Sequence, residues 1–329
     1  MQISVIGAGS WGTALTLILA RNGHEVRLLA KENDSANSLD GLHENLKYLP
    51  GALLPASVTY GVVNESEPWG EAAVLAVPSS AVVSCLPYLK EYPLLCVATK
   101  GLESSGRLLS EVVTEYCPDS ELTLISGPNL ARELADGVPT ASVVASKCEE
   151  SALKIRSAFA SKTFRIYVTD DVKGVELAGA LKNVMAIAAG MSDGLGYGDN
   201  TKGTLVSRGL SEIARLGIAL GARIETFLGV AGVGDLFATA SSKLSRNYRV
   251  GYALGQGYEL IDILDSLGQV AEGVPTCEAA VILAKQVNVE VPIMQHVLTV
   301  LHGQQKPRDI VSRLMERTTL HEGLGDIFH

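Results

Sequence analysis

The residues Ile3-Ser4-Val5-Ile6-Gly7-Ala8-Gly9-Ser10-Trp11-Gly12 lead a short apolar strand straight into Gly-x-Gly-x-x-Gly, and a helical pattern follows from Thr13 to Arg21. A glycine triplet alone says little. Set between a Val/Ile strand and an Ala/Leu-rich helix, it points to a turn that wraps a dinucleotide pyrophosphate. In such a turn Gly7 takes the tight bend, Gly9 lets the backbone approach the pyrophosphate, and Gly12 lets the helix close on the strand. The helix N-terminus, with its N–H groups and positive dipole end, supplies the anion site.

Further Val- and Ile-rich runs alternate with helical segments: Val26 to Leu29, Ala73 to Val77, Leu94 to Ala98, Leu122 to Ile125, Ser142 to Ala145 and Phe164 to Val168. Strand alternating with helix predicts a Rossmann-type, doubly wound parallel sheet. After Thr169-Asp170-Asp171 the β-branched runs thin out and helical periodicity continues to near Arg317, with helices expected over Val172 to Ala189, Thr201 to Leu220, Gly273 to Gln286 and Ile293 to His302. The fold expected is therefore α/β: a dinucleotide-binding domain over residues 1–169 and an all-α substrate domain over 170–329, with chemistry in the cleft between them.

Composition narrows the function. Lys and Arg number 27 against 36 Asp and Glu, a net charge of −9. With no long basic run, a nucleic-acid footprint is not expected. Cys85, Cys96, Cys117, Cys148 and Cys277 lack Cys-x-x-Cys spacing and read as reduced core residues. The six histidines show no metal-binding register, so no metal is expected. The most apolar helical stretch carries Glu176 and Lys182, which argues against a membrane span. The first strand starts so near Met1 that a signal peptide finds no room, and a cytoplasmic location is expected.

The choice of nicotinamide cofactor turns on the end of the second strand, where an NAD site usually carries an acidic residue for the ribose 2′-OH. That place reads Leu29-Ala30-Lys31-Glu32. Lys31 suits the 2′-phosphate of NADP, so NADP is the preferred expectation and NAD the alternative.

Lys182 interrupts an otherwise small and apolar helix, with Ala178, Gly179 and Ala186 one turn away. A lysine there loses hydration, and its pKa falls toward the range where it exchanges protons at neutral pH. A lysine snorkelling to water is the other reading. Lys100 stands at a strand end. Asp235 follows Gly232-Val233-Gly234, which also fits a plain helix N-cap. Ser245-Arg246-Asn247 offers a hydroxyl, a guanidinium and an amide to the oxygens of a phosphate, or simply starts a helix.

Taken in order, Gly7-Ala8-Gly9-Ser10-Trp11-Gly12-Thr13-Ala14, Lys47-Tyr48-Leu49-Pro50-Gly51, Ala98-Thr99-Lys100-Gly101-Leu102-Glu103, Ser126-Gly127-Pro128, Gly174-Val175-Glu176-Leu177, Ala180-Leu181-Lys182-Asn183-Val184, Ser245-Arg246-Asn247 and Val270-Ala271-Glu272-Gly273 span almost the whole chain. In combination they closely resemble the bacterial form of the NAD(P)-dependent glycerol-3-phosphate dehydrogenase family. The resemblance implies reversible reduction of dihydroxyacetone phosphate to sn-glycerol 3-phosphate, the source of the phospholipid glycerol backbone, by a homodimer. It makes Lys182 the proton acceptor and donor. Ser10, Trp11, Lys31, Ala131, Val270 and Glu272 would line the dinucleotide with Tyr48 beside it, and Lys100 and Arg246 would touch both ligands. Gly127, Asp235, Ser245 and Asn247 would contact the substrate. The chain departs from the family pattern at Lys31, where Arg or His is commoner, and at Asn129, where relatives tend to have Ser or Thr and an amide contact would replace a hydroxyl one. On the residues themselves two rivals stay open: another two-domain hydroxyacid-type dehydrogenase, and a non-catalytic dinucleotide-binding redox sensor.

Overall fold

Short apolar runs covered on both faces form parallel strands with little alternation. In this structure, a computed structural model that describes residues 1–31, 39 and 41–310, they are β1 (Gln2–Ile6), β2 (Glu25–Ala30), β3 (Val58–Val62), β4 (Ala72–Leu75), β5 (Leu94–Val97), β6 (Glu121–Ser126), β7 (Thr140–Ser146) and β8 (Phe164–Thr169). One eight-stranded sheet results, in the order β3-β2-β1-β4-β5-β6-β7-β8. Strand β1 is parallel to both neighbours, with Ile3 opposite Val26 on one side and Ala72 on the other. The strand order reverses at β1, and ligands bind beyond the carboxyl ends of strands at such a switch point. The glycine turn leaves β1 at that end.

The sheet corrects the sequence expectation twice. It is not wholly parallel, because β7 runs antiparallel to β6, with Leu124 opposite Ala145. The connection between them holds only the five-residue helix Ala131–Ala135, in place of the long crossover helix that usually returns the chain for a parallel pair. Strand β3 is an addition to the expected set. It is an edge strand in which only Val58 and Val62 are buried, so the continuous apolar run that marks central strands such as β4 and β5 is missing.

Packing divides the chain into two units: Met1–Thr99 with Leu109–Val172, and Lys100–Leu108 with the described residues from Lys173 on. The short excursion joins the helical unit because Leu102 and Leu108 are buried in its core. That unit contains helices Val172–Gly194, Asp199–Ala219, Ile224–Leu228, Asp235–Ser241, Arg246–Gly255, Leu260–Leu267, Gly273–Gln286 and Pro292–Leu301. The stretch 311–317, where helical periodicity is expected to end, lies outside the described residues, as does Glu32.

Helix Val172–Gly194 is apolar around most of its circumference, as a buried helix must be. It meets Arg246–Gly255 backbone to backbone. A Cβ on Gly251 would stand 1.9 Å from the Ile187 carbonyl oxygen, and one on Gly190 would stand 2.1 Å from that of Tyr248. Elsewhere the buried Glu212 carboxylate accepts the Ile293 and Met294 N–H groups, each at 2.9 Å. It thereby caps Pro292–Leu301 from another helix, satisfying donors that the helix itself leaves open. Among the described residues no helix is long and apolar enough to cross a membrane.

Gly251→Ala is expected to force the two helices apart and lower unfolding stability by roughly 2–3 kcal/mol, the usual scale of overpacking. Urea denaturation of the two proteins measures it.

Candidate active site

In the first unit the glycines occupy the places their spacing predicts. Gly7 has φ +112°, and a Cβ there would stand 2.6 Å from the Ala76 carbonyl oxygen. A Cβ on Gly12 would stand 1.9 Å from the Gly7 oxygen, so the first helical turn closes directly on the bend. A Cβ on Gly9 meets no protein atom within 4 Å. The backbone is thus open there, and Gly9, as N-cap of helix Ser10–Arg21, offers no side chain to the first-turn N–H groups. These features fit a dinucleotide pyrophosphate.

Three contacts hold this turn in place. Trp11, in the first helical turn after Ser10, donates its indole N–H to the Ala98 carbonyl at 3.0 Å. The buried Asn45 amide donates to the Ala8 carbonyl at 2.8 Å and to Thr13 Oγ1 at 2.7 Å, while its own oxygen accepts the Tyr48 backbone N–H at 3.1 Å. Tyr48 is therefore tied to the glycine turn through Asn45, a residue that sequence reasoning does not single out. Lys31 follows β2 and is exposed, and Ala131 opens its short helix half-buried. Gly127, after β6, has φ +154° and would drive a Cβ to 2.9 Å from the Ala141 oxygen. Asn129 accepts from the Ser142 hydroxyl at 2.7 Å, which commits its amide oxygen within the protein.

In the second unit, Lys182 and Asp235 are almost wholly buried, at 6% and 1% exposure. Lys182 Nζ donates to Asp235 Oδ1 at 2.7 Å and to Thr239 Oγ1 at 2.6 Å. Lys100 Nζ donates to the other oxygen, Asp235 Oδ2, at 2.8 Å. Snorkelling is thereby excluded for Lys182, and Asp235 is the first residue of its helix, not the cap. Burial pulls the Lys182 ammonium down to about 8; Asp235 opposes the fall, while Lys100 and Arg246 add to it. Two ammonium groups on one carboxylate leave a positive balance, the electrostatics of a place that receives an oxyanion.

The tripeptide starts a helix, the second of its two readings. Ser245 Oγ accepts the Tyr248 N–H at 3.2 Å and caps helix Arg246–Gly255. Asn247 donates to Asn183 Oδ1 at 2.9 Å and accepts the Gly273 N–H at 2.8 Å. Asn183 in turn donates to the Lys100 carbonyl at 3.2 Å, so the lysine cluster and the tripeptide form one connected network. Half-buried Arg246 donates to Gln269 Oε1 at 3.2 Å and interacts with the Glu272 charge. Val270 is exposed. Thr239, Asn183 and Gln269 receive no role from the sequence. Only Thr239 carries a signal there, since it stands one helical turn after Asp235 and so shares its face.

A chain with a dinucleotide turn and a desolvated lysine gripped by a carboxylate has the working parts of a nicotinamide-dependent dehydrogenase. Comparison with known proteins sharpens that class. Models described as the N-terminus and the C-terminus of NAD-dependent glycerol-3-phosphate dehydrogenase match residues 2–152 and 171–312. The chain is 45% identical to glycerol-3-phosphate dehydrogenase (NAD(P)+) of Geobacillus thermodenitrificans, covering 96% of this chain and 95% of the relative. It is 42% identical to the protein of the same name from Oceanobacillus iheyensis, over 96% and 94%. The crystal structure of glycerol-3-phosphate dehydrogenase from Coxiella burnetii superposes with a TM-score of 0.91 at 36% identity, covering 96% of this chain and 99% of that one. The chain belongs to the NAD-dependent glycerol-3-phosphate dehydrogenase family, oxidoreductases acting on CH–OH groups. The hydroxyacid-type dehydrogenase and the redox sensor are left without support.

Because Asp235 holds the Lys182 pKa up, Asp235→Asn is expected to let it fall below its value of about 8. Nζ NMR of isotope-labelled lysine across a pH titration reads the shift directly, and an unchanged or raised pKa contradicts the geometry.

Proposed function

We propose that this protein catalyses the reversible, NAD(P)-dependent reduction of dihydroxyacetone phosphate to sn-glycerol 3-phosphate, supplying phospholipid synthesis. The observation that carries the proposal is Lys182, buried and bonded to Asp235 at 2.7 Å, with its pKa brought to about 8. When bound, the nicotinamide dinucleotide supplies the hydride in reduction and accepts it in oxidation. The chain's residues do the rest. In reduction the Lys182 ammonium polarises the carbonyl oxygen and returns its proton to the forming alkoxide; in oxidation the neutral amine removes the hydroxyl proton.

Lys100 adds positive charge for the developing oxyanion, and Asp235 orients both lysines. Arg246, with Ser245 and Asn247, holds the substrate phosphate and converts binding at the remote end into alignment at the reacting carbon. Gly127 and Asn129 add substrate contacts. Gly7, Gly9, Ser10, Trp11, Gly12, Tyr48, Ala131, Val270 and Glu272 serve the dinucleotide, with Lys100 and Arg246 touching it as well. Exposed Lys31 at the end of β2 supports a preference for NADP over NAD through the 2′-phosphate. The exposed Leu228, Phe237 and Ile261 provide apolar surface for a homodimer, and we place the enzyme in the cytoplasm.

With dihydroxyacetone phosphate, the loss of nicotinamide absorbance is expected to be rapid and faster with NADPH than with NADH. Equal rates remove the role of Lys31, and no oxidation of either cofactor despite binding removes the proposed reaction.

Lys182→Ala is expected to reduce turnover by at least ~10²-fold, the general acid–base scale, with little change in cofactor affinity. Since the neutral amine accumulates above about pH 8, oxidation of sn-glycerol 3-phosphate climbs through that pH. Reduction, which uses the ammonium, declines there. Initial rates in both directions across the pH range check the opposed signs.

A further inference from the structure

The last turn of the long helix that carries Lys182 holds Asp193, a carboxylate the proposed chemistry does not use. Its Oδ2 accepts the Tyr248 hydroxyl at 2.5 Å and the Lys202 ammonium at 2.6 Å. These partners come from the first turns of two other helices, Arg246–Gly255 and Asp199–Ala219. One carboxylate therefore pins three helices. The turn between Gly194 and Asp199 delivers Lys202 to this point.

Tyr248 directly follows Arg246 and Asn247, and its backbone N–H closes the Ser245 cap. Successive residues of a helix point about 100° apart, so Asn247 and Tyr248 bond outward in different directions. Asn247 reaches Asn183 and Tyr248 reaches Asp193. Further along, the same helix touches its neighbour through Gly251 and Gly255, which lie against the backbone of Ile187 and Met191. Contacts of that kind set how close two helices come, but they present no side-chain knob to fix rotation about the axis. Directional hydrogen bonds do.

We propose that Asp193 is a positioning residue: by holding the Tyr248 hydroxyl and the Lys202 ammonium together, it fixes the rotation of helix Arg246–Gly255 and so aims Arg246 at the substrate phosphate. The inference rests on the phosphate role proposed for Arg246. Burial, then the bond to Asp193, holds the Tyr248 hydroxyl above the usual phenol range, so it remains a neutral donor throughout the working pH range. The Lys202 ammonium lies 2.6 Å from the same carboxylate oxygen, so the Tyr248 hydroxyl bonds into an ion pair.

The test is Tyr248→Phe, assayed alone and combined with Arg246→Ala. The single change is expected to raise KM for dihydroxyacetone phosphate by about tenfold, the effect of losing one charge-assisted bond that orders a binding group, while kcat and KM for the dinucleotide, which Arg246 also serves, change by a smaller factor. In the double variant the rise should not add to that of Arg246→Ala, because Tyr248 acts through that residue. An unchanged KM, a loss confined to kcat, or full additivity with Arg246→Ala overturns the assignment. If Arg246→Ala itself leaves KM for dihydroxyacetone phosphate unchanged, the phosphate reading is what fails, and the two failures are told apart. Should Tyr248→Phe not fold, Lys202→Met loosens the same carboxylate from a more exposed position. It is expected to raise the same KM by a smaller factor, and no rise overturns the proposal.

Discussion

A single buried carboxylate, shared by two ammonium groups, is the interaction on which the helical unit is organised. Asp235 gives one oxygen to Lys182 and the other to Lys100. Removing one member of such a group leaves an uncompensated buried charge at a cost of about 3–5 kcal/mol. The arrangement therefore holds together only if all three residues arrive. It draws Lys100 and the segment after it into a unit otherwise built from residues beyond Val172, and it lets a lysine stand in the middle of an apolar helix. The same desolvation that makes the cluster costly lowers the Lys182 pKa to about 8, so the structural expense and the proposed chemical use are one property.

Around that cluster, precision comes from close approach of main chains. Helix Val172–Gly194 carries Lys182 and Asn183, and its neighbours reach its backbone because glycines stand at the crossing points. Gly273 is another: a Cβ there would stand 2.6 Å from the Asn183 carbonyl oxygen. With side chains cleared from the contact, Asn247 can bridge Asn183 and the Gly273 N–H. Small residues thus shorten the distance over which polar groups must reach, and the hydrogen bonds supply the direction that backbone contact lacks. The glycine turn of the first unit follows the same logic, with Gly12 against the Gly7 carbonyl and Asn45 fixing the bend from outside.

Much of this is legible in the chain before folding. Strand, glycine spacing and helix after Gly12 announce the dinucleotide turn because each glycine answers a local steric demand. Lys182 stands out because an ammonium among alanines and glycines contradicts its surroundings. The edge strand β3 escapes notice because an edge needs little apolar surface, and the antiparallel β7 because strand direction depends on the path the connection takes and not on the composition of the strand. Asn45, Gln269 and Asp193 escape because an amide or a carboxylate in an ordinary polar segment looks the same whether it faces water or a buried partner.

The sequence by itself determined the class of fold, the position of the glycine turn, and which lysine was out of place, since these follow from periodicity and from sterics within a few neighbouring residues. Only the tertiary structure decided that Asp235 serves two lysines instead of capping its helix, that residues 100–108 pack with the helical unit, and that Asp193 gathers three helices. Those outcomes depend on groups far apart in the chain meeting in a medium of low dielectric. Their energies come from lost hydration and from paired charge, and neither exists until the chain has closed around them.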